Sequence, residues 1–291
     1  MTSAKIIKHS IIEWGQEIVT FELEYPRIVH SELMTHKILS KSSASSRAIP
    51  ILTMIKRVWD NPATPASWGK NQSGMSARED LTGWRLSATK FVWNAAAKIN
   101  CGLSFLLAKI GAHKQIANRL TEPYSFIKVL VTGTSFDNWY KLRDHKDADP
   151  TIQLLAATMK VAHENSVPQL LKSGEWHLPY VDSKVGSEEN LKLSSSLSAQ
   201  TSYRKSDESI EKALRIYDRL VDSEPAHFSP FEHQATPLES EDSIFFTHKD
   251  KLGRLWSGNF CGWGQYRQKI QAEKKLEPMT CKSLTNSQNL L

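Results

Sequence analysis

Apolar and polar residues alternate from Glu17 to Tyr25. Val19, Phe21, Leu23 and Tyr25 fall on one side, and Thr20, Glu22 and Glu24 on the other. A period of two predicts a half-buried strand. Pro26, which has no amide hydrogen to donate, ends it. The spacing then turns helical. Leu33, Met34 and Ile38 share one face, which predicts a helix over residues 29–39. Residues 40–46 follow as a run of small hydroxyls, which compete for backbone partners and disfavour a continued helix. By composition this run reads as a polar loop. Flanked by Lys37, Lys41 and Arg47, it is also a surface that could hold a phosphate.

Residues 61–75 are rich in Pro, Gly and Asn and read as a loop. A long helix is predicted over 84–110, with Phe91, Val92, Ala95, Ala96, Ile99, Leu103, Leu106 and Ile110 as its apolar stripe and Gly111 at its end. Residues 127–132 are β-rich. Ser135 suits the N-cap of a short helix holding Phe136, Trp139, Tyr140 and Leu142, with Arg143 at its C-terminus. Pro150 opens another helix, with Ile152, Leu155 and Met159 as its apolar face. Residues 183–198 read as a polar surface connection, 208–220 as an amphipathic helix, 243–247 as a short strand, and 271–291 as a flexible polar tail. There is no internal repeat. Long helices mixed with isolated strands imply an α+β fold rather than alternating βαβ units, with one domain over 1–270.

Composition narrows the function classes. At 291 residues, 40% hydrophobic and 23% charged, the chain has ordinary globular values, which excludes a largely disordered protein. The net charge is 37 − 31 = +6. It suits anionic ligands without choosing between nucleotides and nucleic acid. No apolar run approaches the roughly 18–20 residues that span a bilayer. Residues 1–9 carry lysines but no apolar core behind them, so no signal peptide is expected. Cys101, Cys261 and Cys281 are widely spaced and form no C-x-x-C. This argues against a zinc ribbon or a disulfide scaffold and fits a reducing cytoplasm. There is no H-E-x-x-H and no Walker P-loop, and the ten histidines show no ligand spacing, so no metal is expected.

Four blocks carry more specific chemistry. Thr35-His36-Lys37, followed after seven residues by Ser45 and then Arg47, resembles the Arg-His-Arg, seven residues, Ser, one residue, Arg signature of flavin-dependent thymidylate synthases, the ThyX family. Arg119-Leu-Thr-Glu-Pro123 with Asn138-Trp-Tyr-Lys-Leu-Arg143 resembles that family's Arg-x-x-Leu-Pro and Asn-x-x-x-Leu-Arg blocks. Ala199-Gln-Thr-Ser202 and His227-Phe-Ser229-Pro-Phe-Glu232-His233 resemble its Ala-Arg-Val-Ser and His-x-Thr-Pro-Phe-Glu-His blocks. These blocks span residues 30–240. The last two precede the others in the family, so the motif order here resembles a circular permutation.

The resemblance implies a ThyX-like α+β fold, a central mixed sheet flanked by long helices, and a homotetramer with active sites between subunits. It implies synthesis of dTMP from dUMP, with FAD as the bound cofactor and methylenetetrahydrofolate and NADPH as co-substrates. Such cofactors carry the hard chemistry, and the protein holds them and stabilises charge. Arg143 matches the family's uracil-contacting arginine, where a guanidinium offsets charge developing on the activated ring. Its plain alternative is a cation at a helix C-terminus. Ser45, Arg47 and Arg119 match the dUMP phosphate group, since arginines fit a dianionic phosphate. His36, Lys37, Asn138, Ser202, His227 and Ser229 match positions around FAD. For His227 and His233 the alternative is a hydrogen-bonded turn, with Glu232 as its anchor. Gln265 and Arg267 could complete the site. Neither nucleic acid nor membrane is expected as a partner.

Several positions depart from the pattern. Thr35 and Lys37 stand for arginines, Gln200 for the arginine of Ala-Arg-Val-Ser, Glu122 for the leucine before proline, Asp149 for a glutamine and Glu32 for another glutamine. A carboxylate near a phosphate is unfavourable unless paired. Two further readings therefore stand beside the first. One is a relative that puts another group, such as hydroxymethyl, on pyrimidine C5. The other is a nucleotide- or nucleic-acid-binding protein without catalysis.

Overall fold

The alternation near the start of the chain builds the centre of the molecule. A computed structural model describes residues 1–201, 210–221, 223, 227–240, 243–245 and 247–273. Strands β1 (Ser3–Ile11) and β2 (Glu17–Pro26) form an antiparallel hairpin. There follow α1 (His30–Met34), β3 (Ser40–Ser43), α2 (Ile51–Asp60), α3 (Gly83–Lys109), α4 (Lys114–Ala117), β4 (Phe126–Gly133), α5 (Asp137–Arg143), α6 (Pro150–Glu164) and β5 (Gln169–Leu170). The second half adds α7 (Glu188–Ala199), α8 (Ile210–Val221), β6 (Ala235–Pro237), β7 (Thr247–Lys249), β8 (Leu255–Ser257), β9 (Phe260–Cys261), β10 (Trp263–Gln265) and α9 (Tyr266–Glu273). The main sheet has the order β3-β4-β2-β1-β5. Its pairs are antiparallel except β1 with β5, which makes the sheet mixed and the class α+β, as anticipated.

One sheet face is apolar. Val19, Phe21, Leu23 and Tyr25 of β2 lie beside Ile127, Val129 and Val131 of β4, and α6 packs Ile152, Leu155, Ala156 and Met159 against them. Each fully buried Val, Leu, Ile, Phe or Met among them contributes about 1.5–3 kcal/mol. Helix α6 begins at Pro150, and Asp149 caps it by accepting from the Thr151 amide at 2.8 Å.

The opposite face combines buried apolar residues such as Ile18 and Leu130 with a chain of partnered polar groups. Ser42 Oγ lies 2.9 Å from His233 Nε2, and His233 Nδ1 lies 2.8 Å from Thr132 Oγ1. Thr132 meets Thr20 at 2.7 Å, Thr20 meets His177 Nε2 at 2.8 Å, and His177 Nδ1 meets Ser10 Oγ at 2.9 Å. All six residues are buried. Partnered hydroxyls and rings of this kind keep the desolvation cost low and fix the sheet to the segments outside it. Burial holds the His177 pKa well below its ordinary value, so the ring is neutral.

The structure corrects several sequence expectations. The helix expected over 29–39 stops at Met34, where the Thr35 hydroxyl donates to the Glu32 carbonyl at 2.6 Å and the chain turns toward the sheet. The serine run is not simply a loop, because Ser40–Ser43 is the edge strand β3, paired with β4. Phe136, not Ser135, occupies the N-cap of α5, with no side-chain cap bond. Residues 183–198 contain α7, capped by Ser187, and its serines 194, 195, 196 and 198 are buried. Ser243–Phe245 is a short 3-10 turn, and β7 follows it.

The face of α3 is also reversed. Small residues Ala97 and Cys101 are buried against Val58, Ile55 and Tyr124, because they let α2 approach closely, and Ser104 is buried and donates to the Ala117 carbonyl at 2.9 Å. Phe91, Val92, Ile99, Leu106 and Ile110 are exposed, Phe91 at 73%. By length and composition α3 is also apolar enough to cross a membrane, which the sequence reading did not anticipate.

Candidate functional site

Arg143 is the last residue of α5. Trp139, one turn earlier, is buried and meets the His36 ring edge-on at 4.9 Å between centroids. This brings two separate sequence blocks together. Arg143 Nε donates to His36 Nε2 at 3.1 Å, one terminal nitrogen to Glu32 Oε2 at 2.6 Å, and the other to Thr35 Oγ1 at 3.3 Å. A guanidinium has five N–H groups. Three are used here, so 5 − 3 leaves two for a ligand. Burial pushes the Glu32 carboxyl up and Asp149 adds to this, against the pull of Arg143. Burial, then Arg143 and Lys41, hold the His36 imidazole below its ordinary value, so it accepts from Arg143 as a neutral ring.

Lys41, on β3, donates to the His36 carbonyl. Burial and the neighbouring Lys37 bring its pKa down to about 8, and Glu232 works against them. Glu232 is itself pushed up by burial, and Arg267 and Lys41 pull it back. It pairs with Arg267, and the Gln265 amide reaches its carbonyl at 3.4 Å. The Ser42 hydroxyl donates to the Ser229 carbonyl at 3.4 Å, so the turn Ser229–Glu232 is tied to the same strand. Ser229, His227, Asn138 and Lys37 are exposed. Ser202 lies outside the described residues. Gln200, where the family has arginine, is buried and bonds to Ser196 at 3.4 Å, so it presents no cation.

The residues expected to hold phosphate gather at the far end of the serine run. Arg119 is exposed and gives one terminal nitrogen to both oxygens of Glu122 at 3.1 Å. Glu122 also pairs with Arg27 at 3.3 Å and accepts from the Ser46 hydroxyl at 2.5 Å. Ser45 is half-buried and Arg47 exposed in the adjoining turn. Asn118 locks that turn by donating to the Ser46 and Ile49 carbonyls at 2.8 and 2.9 Å. A cleft of about 1130 Å³ opens there, lined by Arg27, Ser46, Arg57, Lys5, Glu22 and Tyr180 among others. Ser45, Arg47 and Arg119 do not line it, and neither do Arg143 and His36.

Sequence reading missed the roles of Glu32 and Glu122, and named Lys41 only as a flank of the serine run. The first two were visible only as departures from a pattern, and their partners were not. Lys41 lies beside the motif, but its burial depends on a strand that composition concealed.

No family model matches the chain, and no curated protein matches it. Among solved structures it is similar to a UMP/dUMP methylase, PolB from Streptomyces cacaoi, bound with 5-Br UMP. The identity is 14% over 56% of this chain and 88% of that one, with a TM-score of 0.45. The same methylase bound with 5-Br dUMP is 15% identical over 50% of this chain and 66% of that one, with a TM-score of 0.42.

Proposed function

We propose that this chain is a flavin-dependent enzyme that replaces the hydrogen at C5 of a uracil nucleotide. In its most specific form it makes dTMP from dUMP, with methylenetetrahydrofolate as carbon donor and NADPH as reductant. The observation that carries this reading is the contact of Arg143 with His36. They are 107 residues apart, belong to different sequence blocks, and meet at 3.1 Å.

The chemistry follows from the groups present. Attack at uracil C5 needs negative charge spread onto the ring nitrogens and carbonyl oxygens. The two spare N–H groups of Arg143 offset that charge, and the loss of such a donor costs about 2.7–4 kcal/mol of barrier. Glu32 beside it supplies an acceptor. Together they offer donors and an acceptor, which complement the carbonyl oxygens and N3–H of a uracil edge. Ser45, Arg47 and Arg119 would receive the phosphate, with Arg119 exchanging Glu122 for it.

FAD, when bound, supplies the hydride. His36, Lys37, Asn138, Ser202, His227 and Ser229 would hold it. The residues fit an anionic cofactor, because Lys37 stands close enough to Lys41 for its charge to add to the burial that lowers the Lys41 pKa to about 8. A diphosphate would relieve their repulsion. The exposed apolar face of α3 is where copies of the chain would meet in a homotetramer.

One observation favours a second reading, in which nucleotide is held without turnover. Arg143, Arg119 and Arg267 each already pair with a carboxylate. Release of tritium from C5-labelled dUMP, with FAD, NADPH and methylenetetrahydrofolate, separates the two. Release that disappears in Arg143→Ala supports the enzyme. FAD and dUMP binding without release supports the second reading.

A further inference from the structure

We propose that His9, Glu17 and His163 form a binding site for a divalent first-row transition ion of the zinc type. His9 is on β1, Glu17 opens β2, and His163 lies in the last turn of α6. His163 Nε2 is 3.3 Å from Glu17 Oε2, and His9 Nε2 is 3.5 Å from the same oxygen. The three ligand atoms lie within 4.8 Å of one another. Zinc takes nitrogen and oxygen ligands at about 2.0–2.2 Å, so the edges of its tetrahedron are about 3.3–3.6 Å. Two of the three separations already have that length.

The rings are held as metal-binding histidines are. His9 Nδ1 is 3.0 Å from Ser166 Oγ, and His163 Nδ1 is 3.2 Å from the Tyr140 hydroxyl. Both rings are thus anchored on one nitrogen and converge on the other, which fixes their direction. His9 is 7% exposed, and its Nε2 is buried with no hydrogen-bond partner. That nitrogen faces the Glu17 carboxylate at 3.5 Å, beyond a good hydrogen bond but within ion-pair reach, as a ligand atom would. Phe21 and Phe136 pack edge-on to His163 and form an apolar surround. Glu17 is 39% exposed, so the fourth position faces water. Two imidazoles with one carboxylate suit zinc, cobalt or ferrous iron rather than calcium or magnesium. The ion would clip the end of α6 to the first hairpin. This differs from the sequence expectation, because the ligands come from three elements and leave no spacing signature.

The test uses the full chain, stripped with chelator and titrated with Co²⁺ in the visible range, then with Zn²⁺ in competition. One ion per chain, displaced by zinc, is expected. His163→Ala and Glu17→Gln, both at partly exposed side chains, should each weaken it about tenfold or more, whereas His145→Ala should not. A second measurement needs no variant. Zinc should protect His163 of the wild type from diethyl pyrocarbonate, read by peptide mass spectrometry. Absence of Co²⁺ and Zn²⁺ binding, unchanged affinity in both variants, or unprotected His163 with zinc bound would each overturn the proposal.

Discussion

Arg143 reaches across 111 residues of sequence to place a terminal nitrogen 2.6 Å from Glu32. The same pairing recurs at Arg119 with Glu122 and at Arg267 with Glu232. Each of these candidate anion-binding arginines therefore carries an internal carboxylate. Two of those carboxylates, Glu32 and Glu122, stand where the resembling family has a neutral residue. The departures are linked, because a carboxylate that would repel a nucleotide alone is neutralised by the arginine beside it.

Arg143→Lys should behave nearly as badly as Arg143→Ala. Three separate nitrogens meet His36, Glu32 and Thr35, and an ammonium cannot reproduce that fork. Turnover of dUMP should fall by about 10²–10³ in either variant. Steady-state rates of Arg143→Lys within a few-fold of wild type would show that the fork is not needed.

Glu122→Leu should have two effects of opposite sign. Arg119 would be freed for phosphate, so dUMP should bind more tightly. Arg27 and the Ser46 hydroxyl would lose their partner in a partly buried place, which should cost about 1–3 kcal/mol of stability. Calorimetry and urea unfolding read the two separately. A weaker dUMP affinity in a folded variant would remove Arg119 from the phosphate site.

What the sequence made legible follows from where local pattern decides structure. The period-two run of β2 and the Pro150 start of α6 were readable because one face of each is apolar. Ser40–Ser43 was not, because its strand is held by hydroxyls. Ser40 bonds Asn259 and Gln265, and Ser42 bonds His233, all from residues about 190–225 positions away. The buried serines of α7 hid a packed helix for the same reason, with Ser194 donating to the Pro179 carbonyl at 2.8 Å. On α3 the stripe was visible but its meaning was inverted, because close packing chose the small face. The motif blocks named Arg143 and His36 as candidates. Nothing local could show that Glu32 pairs with Arg143.

Lys41 gives a pH signature. Its pKa in the folded chain is lowered to about 8 from 10.5. As pH rises through about 8 it loses its charge, so FAD affinity should fall there. The sign for stability is opposite. Between about 8 and 10.5 the unfolded chain binds more protons at this site, so the contribution of Lys41 to stability rises with pH. Lys41→Met should flatten both profiles. Flavin titrations of wild type and variant that run parallel from pH 7 to about 10 would contradict this.

The exposed face of α3 predicts assembly. Phe91 and Ile99 are 73% and 62% exposed, eight residues apart on one helix. Burying such side chains is worth about 1.5–3 kcal/mol each. Light scattering should find a multimer of the 32.9 kDa chain. Phe91→Glu with Ile99→Glu should reduce it to a smaller species, and a wild-type monomer at micromolar concentration would exclude this interface.

The most direct measurement is mass spectrometry of dUMP after incubation with the protein, FAD, NADPH and methylenetetrahydrofolate. The expected product is heavier by one CH2 and comigrates with dTMP. A product that also carries an extra oxygen would keep the C5 chemistry but change the group transferred. Unchanged dUMP, with FAD shown to be bound, would contradict catalysis at C5 of dUMP by Arg143 and its partners.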